Sequence, residues 1–299
     1  METGTTTGPG AAVGVPRSSL GPLPNVIVIG AQKCGTSGLH YYFGLHPQVS
    51  VSEPKELNFF IAERNWSRGI DWYRGCFDPA APVRVDASPN YTAHPHFAGV
   101  PERMAEVVPD ARLIFMVRDP VDRIAAHWVH NYSKGRHTGE IERTILNPNA
   151  TYVSRSRYAM QLERFLPHYP LERILVLEQA DLRAHRDATL RQVFEFAGAD
   201  PSFTDRRFSD ERHKTNRKTR PTRLGARLDA RRERSDRHVI APHLWAAART
   251  YWPLGRRIER PAIREAIPDD VIELLRADAT RLGELTGRSF DHWSSLWGS

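Results

Sequence analysis

Val26-Ile27-Val28-Ile29-Gly30-Ala31-Gln32-Lys33-Cys34-Gly35-Thr36-Ser37 is the stretch from which the rest of the chain is read. A short β-branched run ending in glycine reads as a buried parallel strand feeding a turn. Thr36 to about Leu45 then reads as a helix. A glycine-bearing turn from strand to helix presents unpaired amides and a positive helix end, which suits an anion. Lys33 adds a compact charge, and Thr36 and Ser37 add hydroxyl donors, so the anion expected here is a phosphate. The spacing is not that of a Walker A loop, in which lysine directly follows the second glycine. Lys33 instead precedes Gly35, which removes the best support for an ATPase or kinase.

Working outward, Val83–Asp86, Arg112–Val117 and Arg173–Leu177 read as further strands. Helices are expected over Pro101–Val108, Pro120–Asn131, Tyr158–Leu166 and Ala188–Ala197; both of the first two open on a proline, which a first turn tolerates. Leu190, Val193, Phe194 and Ala197 recur at helical spacing. Strands alternating with helices predict an α/β fold: a P-loop-like, three-layer arrangement with a central parallel sheet flanked by helices. Residues 1–23, rich in Gly, Thr and Pro without an apolar block, read as a disordered leader rather than a secretion signal. Residues 24–299 read as one domain. It carries a polar basic segment over 201–264, expected to be loop or partly helical, and a C-terminal amphipathic helix over 268–286.

The chain has 299 residues, 40% hydrophobic, enough for a substantial core. Its apolar runs are too short to span a bilayer, and Cys34 and Cys76 alone make neither a disulfide framework nor a metal cluster. A cytoplasmic, metal-free protein is therefore expected. The net charge of +7 is concentrated: residues 201–264 hold eighteen Lys/Arg against seven Asp/Glu. Such a stretch implies an anionic partner or a solvated arginine-rich surface.

Gly30-Ala31-Gln32-Lys33-Cys34-Gly35-Thr36-Ser37, followed by Leu39 and His46-Pro47, resembles the 5′-phosphosulfate loop of sulfotransferases that use 3′-phosphoadenosine 5′-phosphosulfate (PAPS). The sequence is most similar to the carbohydrate type, typified by heparan sulfate N- and 3-O-sulfotransferase domains, and to their bacterial relatives. The likeness continues through Lys55-Glu56-Leu57-Asn58-Phe59-Phe60, Trp72-Tyr73, Asp86-Ala87-Ser88-Pro89-Asn90-Tyr91 and Arg118-Asp119-Pro120-Val121-Asp122-Arg123. It closes with Gly287-Arg288-Ser289-Phe290-Asp291-His292-Trp293.

The resemblance implies PAPS as donor, adenosine 3′,5′-bisphosphate (PAP) as product, and Gln32, Lys33, Cys34, Gly35, Thr36 and Ser37 as the donor loop. Cys34 also reads as a small packing residue. Lys33 would neutralise charge growing on the leaving group, and Glu56 would act as general base. A carboxylate beside the Phe59-Phe60 rings suits that role. Arg118 is implied to grip the 3′-phosphate, a guanidinium at the end of a strand being able to bond it twice. The alternative for Arg118 is an ion pair with Asp119 or Asp122. Arg217, Lys218 and Arg220 stand where the family has a basic loop over the donor, and the sequence does not choose among them. Two positions depart from the pattern. Ala126 replaces an expected serine, for which Ser133 or the basic segment is a candidate substitute, and Ala87 replaces an expected lysine, which leaves the acceptor open. Histidines 127, 130 and 137 fall near the presumed cleft without an assigned role.

The expected function is thus sulfuryl transfer to a hydroxyl or amine of a glycan, lipid or small natural product. A nucleotide kinase or NTPase is the alternative from another enzyme class. A nucleic-acid-binding module ranks last, because no recognised motif accompanies the basic segment.

Overall fold

The computed structural model describes residues 22–136, 150–210, 219–221, 227, 255–258 and 263–298. The elements in chain order begin with β1 (Val26–Gly30), α1 (Thr36–Phe43), β2 (Val49–Val51), α2 (Gly69–Arg74) and β3 (Val83–Ala87). They continue with α3 (Val100–Val107), β4 (Arg112–Val117), α4 (Pro120–Ser133), α5 (Tyr158–Leu162), β5 (Ile174–Glu178) and α6 (Arg186–Ala197). A separate strand pair, β6 (Thr219–Pro221) and β7 (Gly255–Arg257), precedes α7 (Asp269–Thr286).

The first five strands form one sheet in the order β2-β3-β1-β4-β5, every pair parallel. Val26, Ile27, Val28 and Ile29 are all fully buried, so the centre of the sheet is covered on both faces. That is why the strand reads as an unbroken apolar run rather than an alternating one. The chain leaves β1 toward β2 and β3 and later crosses to β4 on the other side. The crevice past the carboxyl end of β1 is therefore a topological switch point, where ligands of such sheets bind. The expected P-loop-like α/β fold is the observed one.

The residues after β5 hold this edge together. Glu178, buried at the end of β5, accepts from His292 Nε2 at 2.8 Å and Trp293 Nε1 at 2.9 Å. Asp119 caps α4 by accepting from the amides of Val121 and Asp122, and it also takes the Ser295 hydroxyl. The C-terminal segment is thus fastened beside the strand end that delivers Arg118. Asp278 of α7 caps α5, accepting from Ala159 N at 2.9 Å and Met160 N at 3.0 Å.

Several sequence expectations are corrected. The helix read over Tyr158–Leu166 stops at Leu162 and continues as tight turns, such as Phe165 N to Leu162 O. Pro167 disfavours helical backbone at the residue before it. The β5 strand starts one residue late, at Ile174, because Leu171–Arg173 forms a turn behind Pro170. The half-buried edge strand β2 and the short helix α2 were not foreseen. Within the basic segment, Arg206–Ser209 forms a 3-10 turn anchored by buried Phe208. Most of the remainder, and nearly all of the expected leader, lies outside the described residues.

Candidate functional site

The loop after β1 runs between the sheet and α1. Gly30 has no room for a side chain, since a Cβ there would lie 1.8 Å from Thr92 Oγ1. Gly35 takes φ 97 at the start of α1, a left-handed conformation that favours glycine. No side chain caps α1, and the opening amides of a helix have no acceptor within it. Thr36 and Ser37 therefore present donors at a positive helix end. Lys33 also has left-handed backbone, with φ 78.

Two arginines support this loop from below. Arg123, fully buried on α4, donates from Nε to the Gln32 carbonyl at 3.0 Å and from Nη1 to the Tyr152 carbonyl at 2.9 Å. Arg155 donates from Nη1 to Gln32 Oε1 at 3.2 Å and to Asn90 Oδ1 at 2.8 Å. Among the described residues neither guanidinium pairs with a carboxylate. Burial lowers the proton affinity of both, taking Arg155 down to about 9, with Arg123 as its next cause. His127, buried beside them, is pushed well below the ordinary histidine range, first by burial and then by Arg123 and Arg155. It is neutral near pH 7.

The Cys34 side chain is fully buried. Its Sγ lies 3.5 Å from Tyr158 Oη, its amide donates to Ala31 O, and burial pushes its thiol up. Its side chain packs the loop against the core, as its reading as a packing residue expects.

Arg118, at the end of β4, is 12% exposed and pairs through Nη2 with Asp122 Oδ2 at 2.6 Å. The alternative read from sequence is therefore realised, and its Nε is buried without a hydrogen-bond partner among the described residues. Ala126 is buried on α4. Ser133 lies two turns further along, about 10 Å away, and donates to His130 O.

Glu56 sits on a sharply bent loop with left-handed backbone at Glu56 (φ 61) and Asn58 (φ 48). Asn58 fixes the bend, donating from Nδ2 to the Glu56 carbonyl and from its amide to Ser88 Oγ, while Asn90 donates to its side chain. The bend sends Leu57 and Phe59 inward and Glu56 outward. Phe59 stacks on Tyr73 with centroids 4.2 Å apart. The expected apolar setting for the Glu56 carboxylate is therefore not found: the side chain is 40% exposed and takes an ion pair from Lys55 Nζ at 2.8 Å. Lys55 also donates to Ser37 Oγ at 3.0 Å, tying this loop to the one after β1.

Asp86 is structural. Tyr73, Tyr91 and Ser88 all donate to its buried carboxylate, and Ala87 beside it is fully buried. Arg217, Lys218 and His137 lie outside the described residues. Arg220 lies on β6, whose backbone is set against α4.

Lys55, Arg123 and Arg155 are the residues sequence reasoning left without a role. Arg123 carried a signal, since it shares a helical face with Pro120, Ile124 and His127 that is otherwise closed to solvent. Arg155 carried none.

Residues 23–238 match the model of the sulfotransferase domain, and the chain belongs to that family. It is 28% identical over 201 residues to the human bifunctional heparan sulfate N-deacetylase/N-sulfotransferase 2, covering 60% of this chain and 22% of that protein. It is 28% identical over 192 residues to the mouse heparan sulfate glucosamine 3-O-sulfotransferase 5, covering 60% of this chain and 54% of that one. The chain thus spans about a fifth to a half of the length of these relatives. The crystal structure of a sulfotransferase from Alicyclobacillus acidocaldarius has the same fold, with a TM-score of 0.64 at 22% identity over 91% of this chain and 99% of that one.

Proposed function

We propose that the protein transfers a sulfuryl group from PAPS to a hydroxyl or amine, with a glycan as the favoured acceptor class. The observation that carries this reading is the Lys55 bridge, which sets the Glu56 loop against Ser37 of the donor loop. A base for the acceptor and a cradle for the donor's 5′-phosphate thereby share one crevice. The residues suit the donor: uncapped amides at Thr36 and Ser37, Lys33 beside them, and the Arg118 guanidinium at the end of β4 for the 3′-phosphate.

In this reading the acceptor oxygen or nitrogen attacks sulfur in line with the bridging oxygen. The new bond to sulfur forms as the bond from sulfur to that oxygen breaks. Glu56 takes the acceptor proton, and the electron pair of the broken bond stays on the 5′-phosphate, where Lys33 offsets the growing charge. Lys55 holds the Glu56 carboxylate and is displaced toward Ser37 as the base takes up the proton. Gln32, held at both its carbonyl and its side chain, fixes the loop that presents Lys33. Arg217, Lys218 and Arg220 are proposed to cover the donor and exclude water. A cytoplasmic setting is proposed with it.

The glycan class draws on the names of the two heparan sulfate enzymes to which the chain is similar. Incubation with labelled PAPS and a panel of desulfated oligosaccharides, lipids and small phenols tests the reading. Label should appear in an oligosaccharide. Transfer only to a lipid or phenol would overturn the acceptor class, and no transfer with ATP-dependent phosphorylation instead would overturn the reaction.

A further inference from the structure

Arg155 is buried beside the loop after β1, 6% exposed, and unlike the fully buried Arg123 it bonds side chains of two different loops. One of its guanidinium nitrogens, Nη1, is used by Gln32 and Asn90, both neutral acceptors. Nε is buried with no hydrogen-bond partner among the described residues. The described charges that act on it, Arg123 and Arg64, have the same sign. Removing a guanidinium from water without a carboxylate or phosphate partner is costly, so such a group is normally matched by an anion.

Its two contacts say where that anion belongs. Gln32 precedes Lys33 on the donor loop. Asn90 leads through Asn58 to the carbonyl of Glu56. Arg155 therefore stands between the loop carrying the proposed leaving-group cation and the loop carrying the proposed base. The group that passes between those two residues is the sulfuryl group.

We propose that Arg155 binds the oxygens of the transferable sulfuryl group, distinguishing PAPS from PAP. This rests on the donor reading given above. Two N–H groups of one guanidinium can bond two oxygens of a tetrahedral oxyanion in a fixed geometry, which a lysine cannot reproduce. PAPS and PAP carry similar total charge, so a preference between them reports local contact and not long-range attraction.

Calorimetric titration of PAPS and PAP into the full-length chain and into R155Q and R155K tests the assignment. Both variants should bind PAPS roughly tenfold or more weakly, as expected for loss of a charge-assisted pair, while PAP affinity stays within about twofold. Equal losses for both nucleotides would make Arg155 only a clamp on Gln32 and would overturn the proposal. Unchanged affinities with a raised KM for the acceptor would assign it to an acceptor anion instead and overturn it equally. A wild-type chain that binds neither nucleotide would sink the donor reading itself. Should neither variant fold, the arginine Nε–H resonances of the wild-type protein decide. One resonance should shift strongly with PAPS and not with PAP; identical spectra with the two would overturn the proposal.

Discussion

Lys55 Nζ donates to Ser37 Oγ across 3.0 Å, so the loop after β1 and the loop bearing Glu56 are held as one unit. The same ammonium reaches Glu56 Oε1 at 2.8 Å. Lys55 is 26% and Glu56 40% exposed, and an ion pair so open to water adds little to stability, about 0–1 kcal/mol. Its value lies in alignment. K55M is accordingly expected to leave the melting temperature nearly unchanged while lowering the transfer rate about tenfold or more, as misplacement of reacting groups does. Parallel thermal melts and initial rates check this. A large fall in melting temperature with normal transfer would remove Lys55 from the site.

Glu56→Gln should bind PAP as the wild type does and lose transfer by about 10²–10⁴-fold, the range for a general base. The backbone carbonyl that Asn58 holds is untouched by the change, so the bend should persist. Full activity in this variant would refute the assigned role.

Gly30→Ala places a methyl group 1.8 Å from Thr92 Oγ1. Overpacking of this kind costs about 1–3 kcal/mol. Because Thr92 supplies the obstruction, T92A should recover part of the loss in the double variant, a coupling that denaturation midpoints of all four proteins would measure. Strict additivity would show that the clash is relieved elsewhere.

Burial raises the Asp278 carboxyl from 3.8 to about 6, against the lowering pull of two backbone amides and Arg157. A folded-state value above the unfolded one means that protonation favours the fold. The contribution is fully present below about pH 4 and is lost as pH rises through about 6. D278N removes this titration, so its stability relative to the wild type should improve between pH 4 and 7, by roughly 1–3 kcal/mol. Urea midpoints across that range check it, and a constant difference would contradict the assignment. Asp86, also raised first by burial, acts in the same direction and is common to both proteins.

The sheet was legible because its central strands are covered on both faces and therefore spell themselves as apolar runs, with β4 matching its expected limits residue for residue. The turn after β1 was legible because Gly30, Gly35 and Lys33 lie together in sequence. Edge strand β2 was not, since three half-exposed residues carry too little pattern. Arg155 was out of reach for a different reason: its partner Gln32 is 123 residues away, and only the packed fold brings them together. The Glu56 loop was half legible. Its motif could be recognised, but left-handed backbone at Glu56 and Asn58, held by Asn58 and Asn90, turns the carboxylate toward Lys55 and away from the rings it was expected to meet.

The central claim is that the crevice past β1 holds a 3′-phosphorylated adenosine nucleotide, and calorimetric titration with PAP and with ATP plus magnesium tests it most directly. Saturable one-to-one binding of PAP, weakened in K33A and R118A, and no comparable binding of ATP is the predicted result. ATP binding that requires magnesium, with PAP inert, would contradict it.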